Sequence, residues 1–567
     1  MKFIKTEKVD IFSPFKIGFY FLFPFLLNGQ VNINYEPWDW VTYRFSQDVV
    51  SISDGPNHIY FASSGGILQY NIFGHYWDYP ITTSQGLSDF SVYAIYYDMQ
   101  TNILWASTRF GLDFSTSGGR YWNHVSREEL GLRLNENIIR IGSTADDLYC
   151  VTRSQFLKID RFSGFLISPY VEAPEENQIS WGSYQLKGSD FSRELLTEFT
   201  AVGGWNNELG WLSGPSLNEE VQISTIHTDR FGDIWVGTTG GPVFRGDQQL
   251  KLLEPKQVGL AQTKINYIET WASNLWISGL NSDNDFSGIS LFDFQKRESR
   301  FFRQGIEITI GSDQSSSILE LNGEWWFGSE NGIQIYNPKK DLWSHLRESL
   351  FKIDGNVTHL ETDSLFVYVG HSRGIVKINA NRLKEPWNIE AIIGRWPVDA
   401  LEWDGTNLWI SSGRRLFRWI ADPEFIIQYG SSSQDIDMIE ENKSPLISKI
   451  TSIVSSETKV YFADRFGLLI YSKLTGEWTR FNSQSKLMGI NALDLDLTIL
   501  DNGKDIIWLG TSEGALLIYP ENGFVRFFNK KDGLPDNKIN TVKIIGNYVW
   551  LGTDEGLCQF KWKNYLR

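Results

Sequence analysis

The sequence predicts an all-β protein, two β-propellers built from about twelve four-stranded antiparallel blades. Three observations predict it. A motif of apolar, aromatic, apolar, small residue, Ser or Thr, then glycine recurs about every 44 residues from residue 60 onward. Each repeat holds four short strand-like runs and no helical periodicity. The composition is rich in rings and hinges, with 37 Phe, 23 Tyr, 23 Trp and 50 Gly in 567 residues, and only 21% charged residues. That much aromatic mass must be buried, which excludes a disordered chain, and neither heptads nor Gly-X-Y repeats occur.

The clearest copies of the motif are Ile234-Trp-Val-Gly-Thr-Thr-Gly-Gly241, Trp325-Trp-Phe-Gly-Ser-Glu-Asn-Gly332, Ile507-Trp-Leu-Gly-Thr-Ser-Glu-Gly514 and Val549-Trp-Leu-Gly-Thr-Asp-Glu-Gly556. Aligned rings fall at Tyr60, Trp105, Tyr149, Trp235, Trp276, Trp326, Tyr368, Trp409, Tyr461, Trp508 and Trp550. Their spacings run from 41 to 52, apart from one of 86 between Tyr149 and Trp235, read as two periods with a decayed copy between them. Periods of this length mark a blade rather than a leucine-rich or helical repeat. Calling the strands A to D outward from the axis, the ring lies on strand B and fills the wedge between blades. Glycine follows it by six residues at Gly66, Gly111, Gly241, Gly332, Gly374, Gly467, Gly514 and Gly556, which implies a B–C turn that needs positive φ. The small residue two places after the ring, as in Gly237, Gly328 and Gly510, admits a close neighbour on the same face.

Twelve blades exceed one ordinary ring, so two rings of six are expected, residues 30–296 and 297–567, with an irregular insertion near 165–220. Asp39–Phe45 reads as a D strand and Leu557–Phe560 as a C strand, so the two are expected to share a blade and remove an exposed edge. The same phase admits nested rings, with the last blades completing the first propeller.

Residues 1–29 are read as a signal peptide. Lys2, Lys5, Lys8 and Lys16 precede the eleven-residue apolar run Ile17–Leu27, and Gly29 supplies a small residue before the cut. The protein is therefore expected to be exported: periplasmic, cell-surface or secreted, with no membrane span in the mature chain. The 52 basic and 68 acidic side chains argue against a nucleic-acid partner. Cys150 and Cys558 are too few for a disulfide framework.

The form apolar-Trp-apolar-Gly-Thr-x-x-Gly-Leu, preceded by Asp-Gly-Leu-x-x-Asn, resembles the two-component regulator propeller repeat. Here it reads Asp532-Gly-Leu-Pro-Asp-Asn537, then Trp550 to Leu557, with weaker copies at Gln85-Gly-Leu87 and Val258-Gly-Leu260. The resemblance implies a tandem propeller. In that family such repeats form periplasmic sensor regions of hybrid kinases, often recognising glycan fragments, or a surface component of the type IX secretion attachment complex. The chain departs from both in carrying no kinase or sorting domain.

Antiparallel strands place all B–C turns at one end of a ring. The candidate ligand face is therefore Arg109, Phe110, Glu330, Asn331, His371, Arg373, Arg414, Arg415, Asp464, Arg465, Phe466, Glu513, Asp554 and Glu555. Arginine beside an aromatic, as in Arg109-Phe110 and Arg465-Phe466, suits stacking on a sugar or pairing with a carboxylate. No catalytic residue, metal ligand or cofactor is assigned: the seven histidines are scattered, and the oxygen-rich Asn281–Asp285 is read as a polar loop. The leading expectation is an exported binding or scaffold protein recognising a glycan fragment or cell-envelope protein. The alternatives are a carbohydrate-active lyase or hydrolase working in a propeller funnel, and a surface-attachment or secretion factor of a Bacteroidota-like bacterium.

Overall fold

The computed structural model describes residues 35–566 except 134, 170, 172–174, 186–195, 209–210, 216–218, 281–287, 304–311, 313, 347–355, 383–388, 395, 431–438, 441–446 and 482–489. The signal-peptide reading of 1–29 and the Asn281–Asp285 loop lie outside the described residues. Pro37–Arg567 forms one compact unit.

Among the described residues eleven sheets make up this unit, each with a core of four antiparallel strands in A-B-C-D order. Their A strands divide into two sets by which ones touch. Lys264–Trp271, Ser317–Leu321, Val357–Thr362, Ala400–Trp403, Ile450–Ser455, Ala492–Ile499 and Ile539–Ile545 contact one another in that order, and the last returns to the first. This is a closed ring of seven blades. Among the described residues the other set is Arg140–Ser143, Val92–Asp98, Val49–Asp54 and Glu220–Thr228, in contact in that order, with Ser180–Tyr184 linking its two ends into a four-membered ring.

The repeat glycines record the same closures. A Cβ on Gly552 would lie 2.8 Å from Ile265 of the first blade in the seven-membered ring, and one on Gly237 2.8 Å from Val49 in the four-membered ring. Gly328, Gly370 and Gly510 likewise face Val357, Val398 and Ile539 of the next blade at under 3.0 Å. The small residue after each ring is where the neighbouring A strand presses in.

The expected division into six and six at residue 296 is thus corrected. That boundary falls inside one sheet, between the paired strands Ile289–Asp293 and Glu298–Phe302. Nor do the last blades complete the first ring, because Ile539–Ile545 packs between Ala492–Ile499 and Lys264–Trp271. The strand Trp40–Tyr43 pairs antiparallel with Gly556–Phe560, Trp40 opposite Phe560, as the strand phase predicts. It supplies the outer strand of the last blade, and the four-membered ring is inserted between it and Lys264.

The decayed copy between Tyr149 and Trp235 forms no separate four-stranded sheet among the described residues. Ser180–Tyr184 instead crosses the axis of the four-membered ring. Trp181 pairs with Gly142, the Ser183 hydroxyl accepts from Ile52 N at 2.6 Å, and the Thr225 hydroxyl donates to the Tyr184 carbonyl at 3.0 Å. A Cβ on Gly182 would sit 2.4 Å from the Ile95 carbonyl. The segment touches all four A strands and fills the space that a four-bladed ring leaves at its centre. Asn206–Glu208 and Trp211–Ser213 then add to the inner edge of the Glu220–Thr228 sheet.

The motif rings are the core. Trp105, Trp235, Trp276, Trp326, Trp409, Trp508 and Trp550 are all fully buried. In the Trp409 wedge the indole meets Phe462, Tyr471 and Trp478 of the following blade with centroids 5.1–6.0 Å away.

Candidate functional site

The B–C turns explain the polar half of the motif. At three residues after the ring, Ser63, Ser329, Thr511 and Thr553 donate to the carbonyl of the turn glycine at 2.7–3.1 Å, and Thr511 and Thr553 accept the amide two residues on. The following glycine has φ between +100° and +151° at Gly66, Gly111, Gly332, Gly374, Gly467, Gly514 and Gly556, where L side chains are strained. Gly241 departs from the expectation; Gly240, at φ +80°, takes the left-handed position there.

His371 and Asp464 stand at this same capping position. The His371 ring accepts the Arg373 amide at 3.3 Å and is buried, which lowers its pKa. Asp464 is buried, accepts from Phe466 N at 2.8 Å, and is gripped by Arg480 at 2.9 and 3.1 Å. Both hold turns together.

The remaining candidates sit one blade apart on the turns of the seven-membered ring. Glu330, Asn331, Arg373, Arg414 and Glu513 are exposed. Arg415 lies over Trp396 at 4.6 Å and Arg465 over Phe466 at 4.6 Å. Asp554 is enclosed by Asn540 at 2.8 Å, Lys538 at 3.1 Å and Lys264 at 3.6 Å. Burial opposes its charged form, but these partners outweigh it and hold its carboxyl below the usual range.

Arg109, Phe110 and Glu555 are brought together. They line a cleft of about 470 Å³ with Arg44, Thr83, Ser88, Asp89, Phe90, Ser91, Tyr93, Lys530, Gly533, Leu534 and Pro535. One wall comes from the four-membered ring, the other from the last blade of the seven-membered ring, and Arg44 from the link between them.

Two matching turns position these walls. In each, a short 3-10 helix, Thr83–Gln85 or Lys530–Asp532, carries a reciprocal capping box from Thr82 or Asn529 and ends on a glycine, Gly86 at φ +104° or Gly533 at φ +125°. The two turns are tied together: Ser84 Oγ donates to the Gly533 carbonyl at 2.8 Å, and Gln85 Nε2 donates to the Trp40 carbonyl at 2.7 Å. Two of the Gly-Leu copies seen in the sequence, Gly86-Leu87 and Gly533-Leu534, therefore end the turns beside the cleft.

Within the cleft, Arg109 Nε donates to Asp89 Oδ2 at 2.8 Å and its guanidinium lies over Phe110 at 4.7 Å. Arg44 reaches Glu555 Oε2 at 2.9 Å and lies over Phe90 at 3.9 Å. Arg44, Asp89, Phe90 and Lys530 were not singled out from sequence. None lies in the B–C motif, although Lys530 opens the segment that ends in the Asp-Gly-Leu copy.

A second constellation lies on the axis of the seven-membered ring. The A-strand residues opposite the motif rings are Glu269, Leu319, Glu361, Glu402, Val454, Asp496 and Lys543. Six of the seven stand seven residues before their aromatic, a spacing that would have exposed them in the sequence.

Lys543 bonds Glu269 at 2.9 Å, with side chains 27% and 21% exposed. Burial raises Glu361 to about 7 and Asp496 to about 6, and raises Glu402 too, where Glu361 adds repulsion. Burial works against the Lys543 ammonium, but Glu269, Tyr267 and Asp496 outweigh it and raise its pKa.

Several polar A-strand groups also close the inner edges of the blades. Asp494 accepts from Val542 N at 2.9 Å, Asp496 from Ile544 N at 2.7 Å, and Ser317 from Leu360 N at 3.0 Å. Each satisfies a backbone donor of the next blade's edge strand. Among the described residues no group of three or more His, Cys, Asp or Glu is placed to hold a metal ion, and no helix is long and apolar enough to cross a membrane.

No protein-family model and no curated protein matches the chain. Among solved structures it is similar to the extracellular domain of the putative hybrid two component system BT3049 from B. thetaiotaomicron, at 16% identity over 90% of this chain and 75% of that one, TM-score 0.39. It is similar to the corresponding BT4673 domain at 12% identity over 90% and 70%, TM-score 0.40. It is also similar to PorZ, a surface component of the type-IX secretion system of Porphyromonas gingivalis, at 11% identity over 92% and 87%, TM-score 0.37.

Proposed function

We propose that the chain is an exported binding or scaffold protein that recognises a glycan fragment or a cell-envelope protein without catalysis of its own. The observation that carries this is the cleft between the rings, about 470 Å³ in volume, polar in its lining and walled by turns from both. A cavity of this size with convergent charged and aromatic side chains suits a hydrophilic ligand. The leader-like run Ile17–Leu27 supports export.

The test is a glycan array and an envelope pull-down with the purified protein, each repeated with Arg109→Gln. Binding to neither, or binding indifferent to the substitution, counts against the cleft as the site.

One observation favours a second reading, a hydrolase working at the axis of the seven-membered ring. Glu361, raised to about 7, can hold a proton at neutral pH close to other carboxylates, as a general acid must. Release of reducing ends that disappears in Glu361→Gln would establish that reading in place of the first.

A further inference from the structure

We propose that the cleft between the rings binds an oxyanion, a carboxylate or phosphate group carried by the ligand, between Arg44, Arg109 and Lys530. This rests on the cleft being a ligand site and names the chemistry it selects.

Arg44 carries the argument. Its side chain is 12% exposed, and it pairs directly with Glu555, 45% exposed at the rim. Its Nε is buried and has no hydrogen-bond partner among the described residues. Phe90 covers one face of the guanidinium at 3.9 Å, which removes water from that side without supplying a counter-charge. Burial lowers the Arg44 pKa, and Glu555 and Asp89 recover only part of the loss. A guanidinium offers five donors in a fixed fork, and a desolvated one with a single rim carboxylate is under-compensated.

The other walls add to the same deficit. Arg109 and Lys530 line the cleft with side chains 62% and 55% exposed, leaving their outer donors open to a ligand. The lining holds three cations and two carboxylates, Asp89 and Glu555, while Asp536, outside the lining, reaches Lys530 Nζ at 3.5 Å. Thr83 and Ser91 put hydroxyls on the same lining. An oxyanion held by Arg109 and Lys530 beside Arg44 would bring counter-charge to the under-compensated guanidinium, which a neutral ligand does not.

The experiment is thermal unfolding of the full chain in sodium acetate, sodium phosphate and sodium chloride at equal ionic strength and pH. It compares the unsubstituted protein with Arg109→Gln/Lys530→Gln, which changes only exposed side chains, and with Arg44→Lys, which keeps the charge and loses the fork. The expected result is a midpoint about 1–2 °C higher in one oxyanion than in chloride at a concentration near tenfold above its dissociation constant. That rise is absent from the double variant and reduced in Arg44→Lys. A rise in acetate alone assigns a carboxylate and in phosphate alone a phosphate ester; either supports the proposal. No oxyanion-specific rise, or the same rise in the double variant, overturns it. Array or pull-down binding that Arg109→Gln weakens would then leave the cleft standing as the site of a neutral ligand.

Discussion

Replacing Glu361 by glutamine should make the protein more stable above neutral pH and leave it unchanged in mild acid. Glu361 stands on the axis opposite Tyr368, and burial raises its pKa from 4.5 to about 7. The folded form therefore holds the proton more tightly than the unfolded chain. The associated stability is complete below about pH 4.5 and is lost as the pH rises toward 7. A shift of this size corresponds to an upper bound of about 3 kcal/mol at roughly 1.4 kcal/mol per unit. Glu361 is only half-buried by surface area, and the channel admits screening, so about 1–2 kcal/mol is the working expectation.

Glutamine keeps the shape and never ionises. Urea midpoints followed by tryptophan fluorescence at pH 5 and pH 8 should show the wild type weakening between the two and Glu361→Gln weakening less, with the variant ahead at pH 8. A variant less stable than wild type at pH 8, or an unchanged difference between the two pH values, would refute the reasoning that uncompensated axial charge opposes closure of the seven-membered ring.

Arg161→Met should destabilise by about 3–5 kcal/mol, because Arg161 and Asp98 are 3% and 1% exposed and the carboxylate is left buried alone; chemical denaturation measures it. Burial opposes the charged form of Asp98, but bonds from Arg161 and Thr101 outweigh it and lower its pKa, so this contribution is present above about pH 4 and fades in stronger acid. Gly328→Ala should cost about 1–3 kcal/mol by driving a methyl to 2.5 Å from Val357 Cγ1, whereas Gly405→Ala, with nothing within 4 Å, should show only the smaller strain of φ +92°. Trp40→Ala removes a ring stacked on Phe560 at 3.8 Å and should cost about 3–5 kcal/mol, with faster hydrogen exchange in Gly556–Phe560 as the outer strand loosens.

Much of the blade was legible because its constraints are local. The ring on strand B, the capping hydroxyl three residues on and the glycine after it all act within one hairpin, so they recur at fixed offsets. His371 and Asp464 share the register position of Thr511 and Thr553, where a side chain caps its own turn whatever its chemistry. The cleft was only partly legible. Arg109, Phe110 and Glu555 came from the B–C turns, and the blade shared by Asp39–Phe45 and Leu557–Phe560 sets Arg44 near Glu555, but nothing in the sequence sets Asp89, in a D–A loop, beside a blade hundreds of residues away.

The sequence by itself determined the blade: its four strands, its buried aromatic, its strained turn and the sharing of one sheet by Trp40–Tyr43 and Gly556–Phe560. Each depends on contacts within one repeat or between strands of known phase. Ring membership was decided only in three dimensions. Any blade can pack its face on any other, so which A strand meets Val49 or Ile265 depends on how many wedges fit around each axis. Among the described residues seven close directly, and four close through Ser180–Tyr184, which joins Arg140–Ser143 to Glu220–Thr228, a choice made by packing that no single repeat encodes.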